Sequence, residues 1–434
     1  MRMTRTIPDA LRGLSSDGWL LFATRSIRLF AYGSLSVILV FYLVSLGLSE
    51  SQTGLVLTLT LAGDVVVSLF LTTRADRIGR RRMLVAGAVL MAGAGVAFTC
   101  THNFFYLVLA GTIGVISPSG NEVGPFLSIE QAALSHVVAP KTRTEVFAWY
   151  TLAGSFATAI GALAGGAMTH ALEEQAVSPV NSYRAVVIGY AVLGVLLALL
   201  FLRLSSAAEV PDQGEKPARD LKSFFGVSRS HRVVMKLSSL FALDSFAGGF
   251  VVQSFAAYWF YLRFGVNPGT LGAIFFWANV FAGISALFAS RLAARIGLVR
   301  TMVVTHLPSN VLLILVPLMP TLGLAVAVLL VRFSISQMDV PTRQSYTMAV
   351  VSPEERSAAG GITGIARTTG AAISPLFAGL LFGRPSLINV PFFLAGGLKI
   401  AYDLLLYRAF ARLPSPEEAI NATFNSSSRK SEAS

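Results

Sequence analysis

Long apolar runs separated by short polar segments dominate the chain. Many of these runs approach or exceed the roughly 20 residues that a helix needs to cross about 30 Å of hydrocarbon. Twelve such runs cover residues 20–46, 53–73, 83–101, 104–137, 145–170, 184–204, 235–262, 270–290, 300–319, 321–351, 357–383 and 388–411. Because a backbone in hydrocarbon has no water to bond with, each run is predicted to be a helix. We number them span 1 to span 12.

The two halves of the chain repeat each other. At an offset of 218 residues the matches are Gly47 with Gly265, Gly54 with Gly272, and Arg77-Ile78-Gly79 with Arg295-Ile296-Gly297. Further along the offset becomes 213, and the matches are Gln131, Val137, Val138, Pro140 and Arg143 with Gln344, Val350, Val351, Pro353 and Arg356. Two similar halves around a central site are typical of transporters that work by alternating access.

This pattern predicts an all-α membrane protein with its transmembrane helices in two pseudo-symmetric six-helix bundles. Residues 1–204 form the first predicted bundle and residues 235–412 the second. Residues 205–234 are polar and basic, which predicts a long cytoplasmic connector. The tail, residues 413–434, is predicted to be disordered.

Composition and charge support a membrane location. Charged residues make up only 13% of the chain, hydrophobic residues make up 54%, and the mean hydropathy is +0.67. Of the 34 lysines and arginines, 25 fall in the predicted inner loops and tails and three in the outer loops. This asymmetry predicts a multi-pass protein of the inner or plasma membrane with both termini in the cytoplasm. The net charge of +12 therefore indicates contact with anionic lipid head groups and not nucleic-acid binding.

The loop between spans 2 and 3 carries a specific motif, Asp76-Arg77-Ile78-Gly79-Arg80-Arg81-Arg82. The glycine in the middle of the motif predicts a tight turn at Gly79 between two helix ends. The motif resembles the G-x-x-x-D-R-x-G-R-R signature of the major facilitator superfamily, although Thr72 stands where the leading glycine is expected. The resemblance implies that Asp76 caps or pairs near a neighbouring helix end and holds one conformational state. The alternative is an ordinary basic cytoplasmic loop.

Span 5 carries a second resemblance, Gly161-Ala162-Leu163-Ala164-Gly165-Gly166, which is similar to the antiporter signature G-P-x-x-G-G of that superfamily. The repeat partner in span 11 keeps a proline and a glycine, Pro375 and Gly379. In the family this signature implies proton-coupled efflux, whereas small-residue helix packing alone would look similar. Span 4 departs from many efflux members because it holds no arginine, and Arg332 lies in span 10 instead.

Ionisable side chains inside the spans are a further functional signal, because charges in hydrocarbon are costly and generally face an interior cavity. Six acids and six bases lie there, a balance that favours pairing. They are Asp64, Glu122, Glu130, Asp244, Asp339, Asp403, Arg25, Arg28, Arg332, Arg343, Arg367 and Lys399. The resemblance implies that spans 1, 4, 7 and 10 line the cavity, and these spans hold eight of the twelve charges.

The repeat predicts two gate pairs. Glu130 and Arg343 occupy equivalent positions, and Asp244 is equivalent to Ser26, within one turn of Arg28. We therefore expect Glu130–Arg343 and Arg28–Asp244 to form a cytoplasmic gate between the halves. Neutralising one partner would leave a costly unpaired charge. The alternative is that each charge is satisfied inside its own half.

Glu122 lies in the middle of span 4 in Ser117-Pro118-Ser119-Gly120-Asn121-Glu122-Val123-Gly124-Pro125. Two prolines and two glycines predict that this stretch bends or unwinds into the cavity, where Asn121 and Glu122 would offer polar contacts. Glu122 and Asp339 are the proton-coupling candidates and Arg332 is the candidate site cation. For Asp64 in span 2 a functional role and a structural role as partner of the loop motif are both open. Lys399 is expected to pair with Asp403, four residues away.

Aromatic residues extend the list of cavity candidates without fixing the substrate. An amphiphilic or aromatic compound would suit them, whereas many membrane aromatics face lipid or the interface. The candidates are Tyr32, Phe126, Tyr258, Trp259 and Trp277.

Enzyme functions lack the residues that they need. The five histidines form no H-E-x-x-H motif and no phosphate-binding G-x-x-x-x-G-K-[ST] loop is present, so neither a cofactor nor ATP hydrolysis is expected. Proton-coupled efflux of a small organic molecule by a monomer is the favoured function. The alternatives are symport of an organic anion into the cell and a non-transporting receptor or scaffold.

Overall fold

The computed structural model describes residues 9–138, 143–209, 230–352 and 355–411, and over these residues the chain contains helices and no strand. We number the helices after the predicted spans and use letters for the two parts of an interrupted one. After a single turn at Asp9–Arg12, the first half contains α1 (Ser16–Ser45), α2 (Glu50–Ile78), α3 (Arg80–Cys100), α4a (Phe104–Ile113), α4b (Phe126–Val137), α5 (Arg143–Glu174) and α6 (Pro179–Phe201). The second half contains α7a (His231–Gly249), α7b (Gln253–Phe264), α8 (Pro268–Ile296), α9 (Leu298–Leu315), α10a (Leu322–Ser336), α10b (Asp339–Ala349), α11 (Arg356–Phe382) and α12 (Val390–Phe410).

The described helices confirm the predicted all-α membrane fold. Eleven of the twelve spans are long and apolar enough to cross a membrane within the described residues. Span 4 is the exception, because α4a is only a short apolar helix. Large apolar side chains such as Val66, Phe105 and Val192 are exposed, as expected where helices face lipid.

Polar residues between the apolar runs set the helix ends. Ser49 begins α2 with a reciprocal capping box, in which its hydroxyl accepts from the backbone of Gln52 and the Gln52 side chain accepts from the backbone of Ser49. Asn103 and Thr321 cap α4a and α10a in the same general way, through a side-chain oxygen. Polar residues in these short loops between spans thus cap the helices that follow them.

Glycine makes the turn in the loop motif between α2 and α3. Gly79 has a φ of 113°, in the region that disfavours side chains, and its N–H donates to Ala75. Its repeat partner Gly297 has a φ of 89° at the junction of α8 and α9. The predicted tight turn at Gly79 is confirmed, and it recurs in the second half.

Three spans are interrupted. Span 4 is non-helical from 114 to 125, as its prolines and glycines predict, and Gly120 and Gly124 there have φ values of 71° and 81°. Span 7 is interrupted between Gly249 and Gln253, and span 10 between Ser336 and Asp339. Non-helical backbone in a membrane protein is tolerated where protein side chains bond to it or where it lines a cavity.

The chain divides into two compact units. The first comprises Met1–Lys216, Val252–Val280 and Pro375–Ile388, and the second comprises Pro217–Val251, Phe281–Ser374 and Asn389–Ser434. The first unit therefore takes up α7b and parts of α8 and α11 from the second half of the sequence. The predicted division at 204 and 235 stays a prediction, because most of the connector and the 413–434 tail lie outside the described residues.

Glycines bring helices of the first unit into close contact. A Cβ at Gly161 or Gly165 of α5 would lie 2.1 Å or 2.6 Å from a backbone oxygen of α1. The predicted close approach in span 5 is therefore confirmed. Pro140 and Pro353, which the repeat singled out, lie outside the described residues, whereas their partners Arg143 and Arg356 begin α5 and α11.

Two glycine crossings in the first unit are related by the repeat. On α2, a Cβ at Gly54 would lie 2.5 Å from the Pro375 carbonyl oxygen and 3.0 Å from the Gly379 Cα atom of α11. On α5, a Cβ at Gly166 would lie 2.8 Å from the Gly272 Cα atom of α8. Gly54 and Gly272 are repeat partners, as are Gly166 and Gly379. The same crossing therefore occurs twice.

Candidate functional site

The first unit holds a buried ion cluster of Arg25, Arg28, Glu122 and Glu130, which we call the Glu122 cluster. The Arg28 guanidinium bonds to both oxygens of Glu130, at 2.7 Å and 2.8 Å. The same group lies 3.2 Å from Glu122, and Arg25 lies 2.7 Å from the other Glu122 oxygen. Two arginines thus face two carboxylates, so the cluster is neutral when both acids are ionised.

Glu130 is fully enclosed by its partners. The hydroxyls of Thr24 and Tyr150 donate to its oxygens at 3.1 Å and 2.5 Å, in addition to the two bonds from Arg28. Its side chain is 0% exposed, as is that of Arg28. Burying a charge pair is tolerated where the remaining lone pairs are also bonded, as they are here.

Glu122 differs from Glu130 because it is partly exposed, with 17% of its side chain accessible. It lies on the non-helical segment 114–125, beside the exposed Asn121. The structure therefore joins a solvent-accessible carboxylate, Glu122, to two buried arginines.

Side chains from several helices hold the segment 114–125 in place. The Thr158 hydroxyl donates to the Gly120 carbonyl, the Tyr32 hydroxyl donates to the Val123 carbonyl, and the Asp64 carboxylate accepts from the Gly124 N–H at 2.6 Å. From α7b, the backbone N–H and hydroxyl of Ser254 both donate to the Pro118 carbonyl, at 3.1 Å and 2.6 Å. The segment is thus connected to α1, α2, α5 and α7b.

The second unit holds another ion cluster, formed by Asp244, Asp339, Arg343 and Lys399, which we call the Asp244 cluster. Asp244 accepts from Lys399 at 2.6 Å through one oxygen and from Arg343 at 3.1 Å through the other. Arg343 also lies 3.2 Å from Asp339, the first residue of α10b. All four residues are buried.

Three further polar residues adjoin the Asp244 cluster. His306 on α9 lies 2.8 Å from Asp403 through Nδ1 and 3.7 Å from Asp244 through Nε2. Asn310, one turn further along α9, donates to the other Asp403 oxygen at 2.8 Å. No role was predicted for His306 from the sequence, although a histidine and an asparagine four apart in an apolar span share a helix face.

Arg332 and Arg367 of the second unit differ from Arg343. Both are partly exposed, and their Nε atoms have no hydrogen-bond partner among the described residues. Arg332 lies over the ring of Phe333, 4.9 Å from its centre. Arg332 and Arg367 are thus partly exposed cations inside the spans, whereas Arg343 and Lys399 are buried.

The pairs that form differ from the predicted ones. Arg28 and Glu130, expected to pair with Asp244 and Arg343, pair with each other, and Arg343 pairs with Asp244. These four charges are thus paired within their own halves in this structure, and the gate between halves stays a prediction.

The predicted pairing of Lys399 was wrong, and the contacts of Asp64 differ from the structural role that was considered for it. Lys399 bonds to Asp244 and not to Asp403, since each of the two α12 residues meets a partner on another helix. Asp64 bonds to the Gly124 N–H and to Ser68, which makes it an anchor of the segment 114–125 and not a partner of the loop motif.

The aromatic candidates for cavity lining differ in how exposed their side chains are. Tyr32, Phe126, Tyr258 and Trp259 are buried, whereas Trp277 on α8 is 51% exposed. Phe126 lies under the Arg28 guanidinium, 4.6 Å from it, and the Tyr258 hydroxyl donates to Glu50 at 2.9 Å. Cavity lining by these residues stays a prediction.

The loop motif has a partner that the sequence did not reveal. The Glu209 carboxylate accepts from the backbone N–H groups of Arg80 and Arg81, at 2.7 Å and 3.0 Å, and so caps the start of α3. Arg77 is exposed, and the Asp76 side chain lies outside what the structure describes. The role predicted for Asp76 in holding one state stays a prediction.

Comparison with known proteins decides the family. The model described as Major Facilitator Superfamily matches residues 21–337 and 245–432. The chain belongs to the Major Facilitator Superfamily. It is therefore an integral, multi-pass membrane transporter, as the helical fold and the repeated halves predicted.

Relatives of this superfamily member differ in how much of it they cover. The uncharacterized membrane protein YJR124C of Saccharomyces cerevisiae is 31% identical over 419 residues, which are 90% of this chain and 93% of that protein. The quinolone resistance protein NorA of Staphylococcus aureus is 33% identical over 76 residues, 18% of this chain and 20% of NorA. The crystal structure of the nucleoside transporter NupG superposes with a TM-score of 0.71 at 12% identity, covering 91% of this chain and 99% of NupG, which shows a shared fold.

Proposed function

We propose that this Major Facilitator Superfamily member exports a small organic molecule in exchange for protons. The observation that carries the proposal is the position of Glu122, a partly exposed carboxylate that bridges the buried Arg25 and Arg28. A carboxylate at the boundary of a buried ion cluster can take up a proton from water and so change the net charge of that cluster.

Protonation of Glu122 would drive a rearrangement. With both acids ionised the Glu122 cluster is balanced, and with Glu122 neutral one arginine charge is left without a counter-ion. An uncompensated charge in a buried site is strongly unfavourable. Protonation of Glu122 therefore favours a rearrangement in which that arginine reaches water or another negative charge. In such a movement the non-helical segment 114–125, which carries Glu122, would break its hydrogen bonds to α1, α2, α5 and α7b but not the hydrogen bonds of a continuous helix.

Two observations favour export. NorA, described as a quinolone resistance protein, matches 76 residues of the chain. The glycines of α5 resemble the superfamily's antiporter signature, and they pack directly on α1, the helix that carries Arg25 and Arg28. Export therefore agrees with the local similarity to NorA and with the packing of the α5 glycines on α1.

Uptake of an organic anion together with protons is the second candidate. It is favoured by Arg332 and Arg367, which are partly exposed and whose Nε atoms have no hydrogen-bond partner among the described residues. Guanidinium groups of this kind bind carboxylates in a planar, two-pronged geometry. A carboxylate-bearing solute would bring a negative charge to these two cations.

Proton movement in everted membrane vesicles tests the proposal. The vesicles contain the overexpressed protein and an acidified lumen, and a panel of cationic drugs, neutral metabolites and organic anions is added from outside. Export predicts that at least one compound releases protons from the lumen and that Glu122→Gln abolishes the release. Glu174→Gln, at the exposed end of α5, is the matched control and should behave as wild type.

The outcome separates the two candidates. Proton release by a cationic or neutral compound supports export, whereas a response of opposite sign to organic anions only, lost in Arg332→Gln, supports uptake. Release that persists in Glu122→Gln would contradict the role of this carboxylate.

A further inference from the structure

His306 is a buried titratable group that the proposed role of Glu122 does not use. It lies on α9 with 5% of its surface exposed, between Asp403 of α12 and Asp244 of α7a. Each ring nitrogen faces a different carboxylate. This arrangement constrains where the ring protons lie.

The Nδ1 atom of His306 lies 2.8 Å from the Asp403 oxygen and 3.1 Å from the Asn310 amide nitrogen. With Asp403 ionised, two bare lone pairs at 2.8 Å would repel, so we assign the proton of the neutral ring to Nδ1, which donates to the carboxylate. Asn310 holds the carboxylate in position by donating to its second oxygen at 2.8 Å. The Nε2 atom is therefore the one whose protonation can change.

Lys399 and His306 share one acceptor. The Oδ1 atom of Asp244 accepts from the Lys399 ammonium at 2.6 Å and faces Nε2 of His306 at 3.7 Å. While Lys399 holds this oxygen, a second cation at Nε2 meets a carboxylate that is already neutralised. If Lys399 moves away, the same oxygen becomes the natural partner of an Nε2–H group.

Other charges around His306 act in both directions. Asp244 and Asp403 are the carboxylates that face the ring, and Tyr402 of α12 contacts it edge-on, with the ring centroids 5.8 Å apart. The nearby cations are Lys399 and Arg343, which both bond to Asp244, and further cations of these spans are Arg332 and Arg367. Lys399 is the cation that bonds directly to the Asp244 Oδ1 atom, at 2.6 Å. Its position therefore decides whether this oxygen is open to Nε2.

The geometry points to Nε2 of His306 as a second proton-binding site, which opens when Lys399 releases Asp244. The Lys399 ammonium leaves the Asp244 oxygen and keeps its protons, a proton taken from water binds Nε2, and an Nε2–H···Asp244 hydrogen bond replaces the Lys399–Asp244 one, so that the second unit gains one positive charge. The inference rests on the proposed function, because a proton-coupled transporter needs groups that load and release protons. It gives the second unit a counterpart of Glu122.

Nitrogen NMR of the full-length protein in nanodiscs tests the site without a transport assay. Histidine is labelled with ¹⁵N in a variant whose other four histidines, His102, His136, His170 and His231, are replaced by glutamine. One ring nitrogen should stay protonated throughout, and the other should gain a proton as the pH falls from about 8 to about 5. A ring that keeps a single proton over this range would overturn the inference.

A second variant tests the control by Lys399. In Lys399→Gln the ratio of doubly to singly protonated His306 at pH 7 should rise, because the Asp244 oxygen is then open to an Nε2–H group. Lys236→Gln, an exposed change on α7a, should leave the ratio unchanged. An unchanged ratio in Lys399→Gln would contradict the shared-acceptor argument.

Transport separates this inference from the proposed function. If vesicles show proton release, His306→Gln should reduce it while His170→Gln, on the exposed end of α5, should not. If no compound moves protons, the proposed function fails, yet the NMR titration still decides whether Nε2 binds a proton. If compounds release protons from the vesicles but the His306 ring gains no proton in the NMR titration, the second proton-binding site is contradicted and Glu122 remains the candidate coupling residue.

Discussion

At the scale of single residues, Glu122 and Glu130 show how position divides two similar acids. Both bond to Arg28, but Glu130 is enclosed by four donor atoms and Glu122 is partly exposed. Glu130 thus fixes the arginine in place, and Glu122 is the acid that can meet water. The first is a positioning residue, and the second is the candidate for proton exchange.

Loss of the Glu130 charge should therefore destabilise the protein. In Glu130→Gln the buried Arg28 loses its two-pronged partner, and removing one member of a buried pair costs about 3–5 kcal/mol. We expect a lower unfolding temperature in detergent by differential scanning fluorimetry. Glu174→Gln, whose side chain is 68% exposed, should unfold like wild type. Equal stability of the two variants would show that Arg28 is compensated elsewhere.

The charged residues of the site could be predicted from the sequence, whereas their pairs could not. A charge inside an apolar run is visible directly, and Glu122, Glu130, Arg28 and Asp244 were all identified in this way. The partner depends on the packing of distant helices, since Arg28 and Glu130 are 102 residues apart in the chain. Repeat symmetry relates equivalent positions, but it does not determine which side chains meet.

At the scale of helices, the interruption of span 4 is the element that places Glu122 outside a regular helix. The sequence predicted it, because Pro118 and Pro125 remove backbone donors and two glycines permit positive φ values. The interruptions of spans 7 and 10 had weaker signals, namely Gly248-Gly249 and Pro341, and were not predicted. A proline in the first turn of α10b fits a helix start and not a helix interior.

The α2–α11 crossing predicts an engineered disulfide. A Cβ at Gly383 would lie 3.8 Å from the Ser51 hydroxyl, so Ser51→Cys with Gly383→Cys should oxidise readily in a Cys100→Ser background. The measure is the mobility shift after copper-phenanthroline treatment. Reduced cross-linking is expected when Gly54→Val is added, since overpacking costs about 1–3 kcal/mol and forces the helices apart.

A valine in open space serves as the matched control. No atom lies within 4 Å of a Cβ at Gly93, so Gly93→Val should leave the cross-link unchanged. Equal cross-linking with Gly54→Val would contradict the glycine crossing.

At the scale of the whole molecule, the repeat and the apolar runs were enough to predict the helical fold. All twelve spans correspond to helices or helix pairs within the described residues. The division into compact units was not predicted, because the first unit includes residues 252–280 and 375–388 of the second half. That grouping follows from contacts between distant helices such as Gly54 with Gly379, which the order of the spans does not contain.

The charge asymmetry predicts the orientation of the chain in the membrane. In a Cys100→Ser background, a cysteine at the exposed Asn267, in the loop between α7b and α8, should react with a membrane-impermeant maleimide in intact cells. A cysteine at the exposed Ser206 should react only after the cells are opened. The reverse pattern would place the termini outside.

Proton-driven accumulation in proteoliposomes tests the central claim most directly. Purified protein is reconstituted with a compound that released protons in vesicles, and a pH gradient is imposed with the lumen acidic. Exchange predicts that the compound accumulates in the lumen against its own gradient, that an ionophore collapses the accumulation, and that Glu122→Gln shows none. Flux that only equilibrates the compound, equal in wild type and Glu122→Gln and indifferent to the pH gradient, would contradict proton-coupled transport.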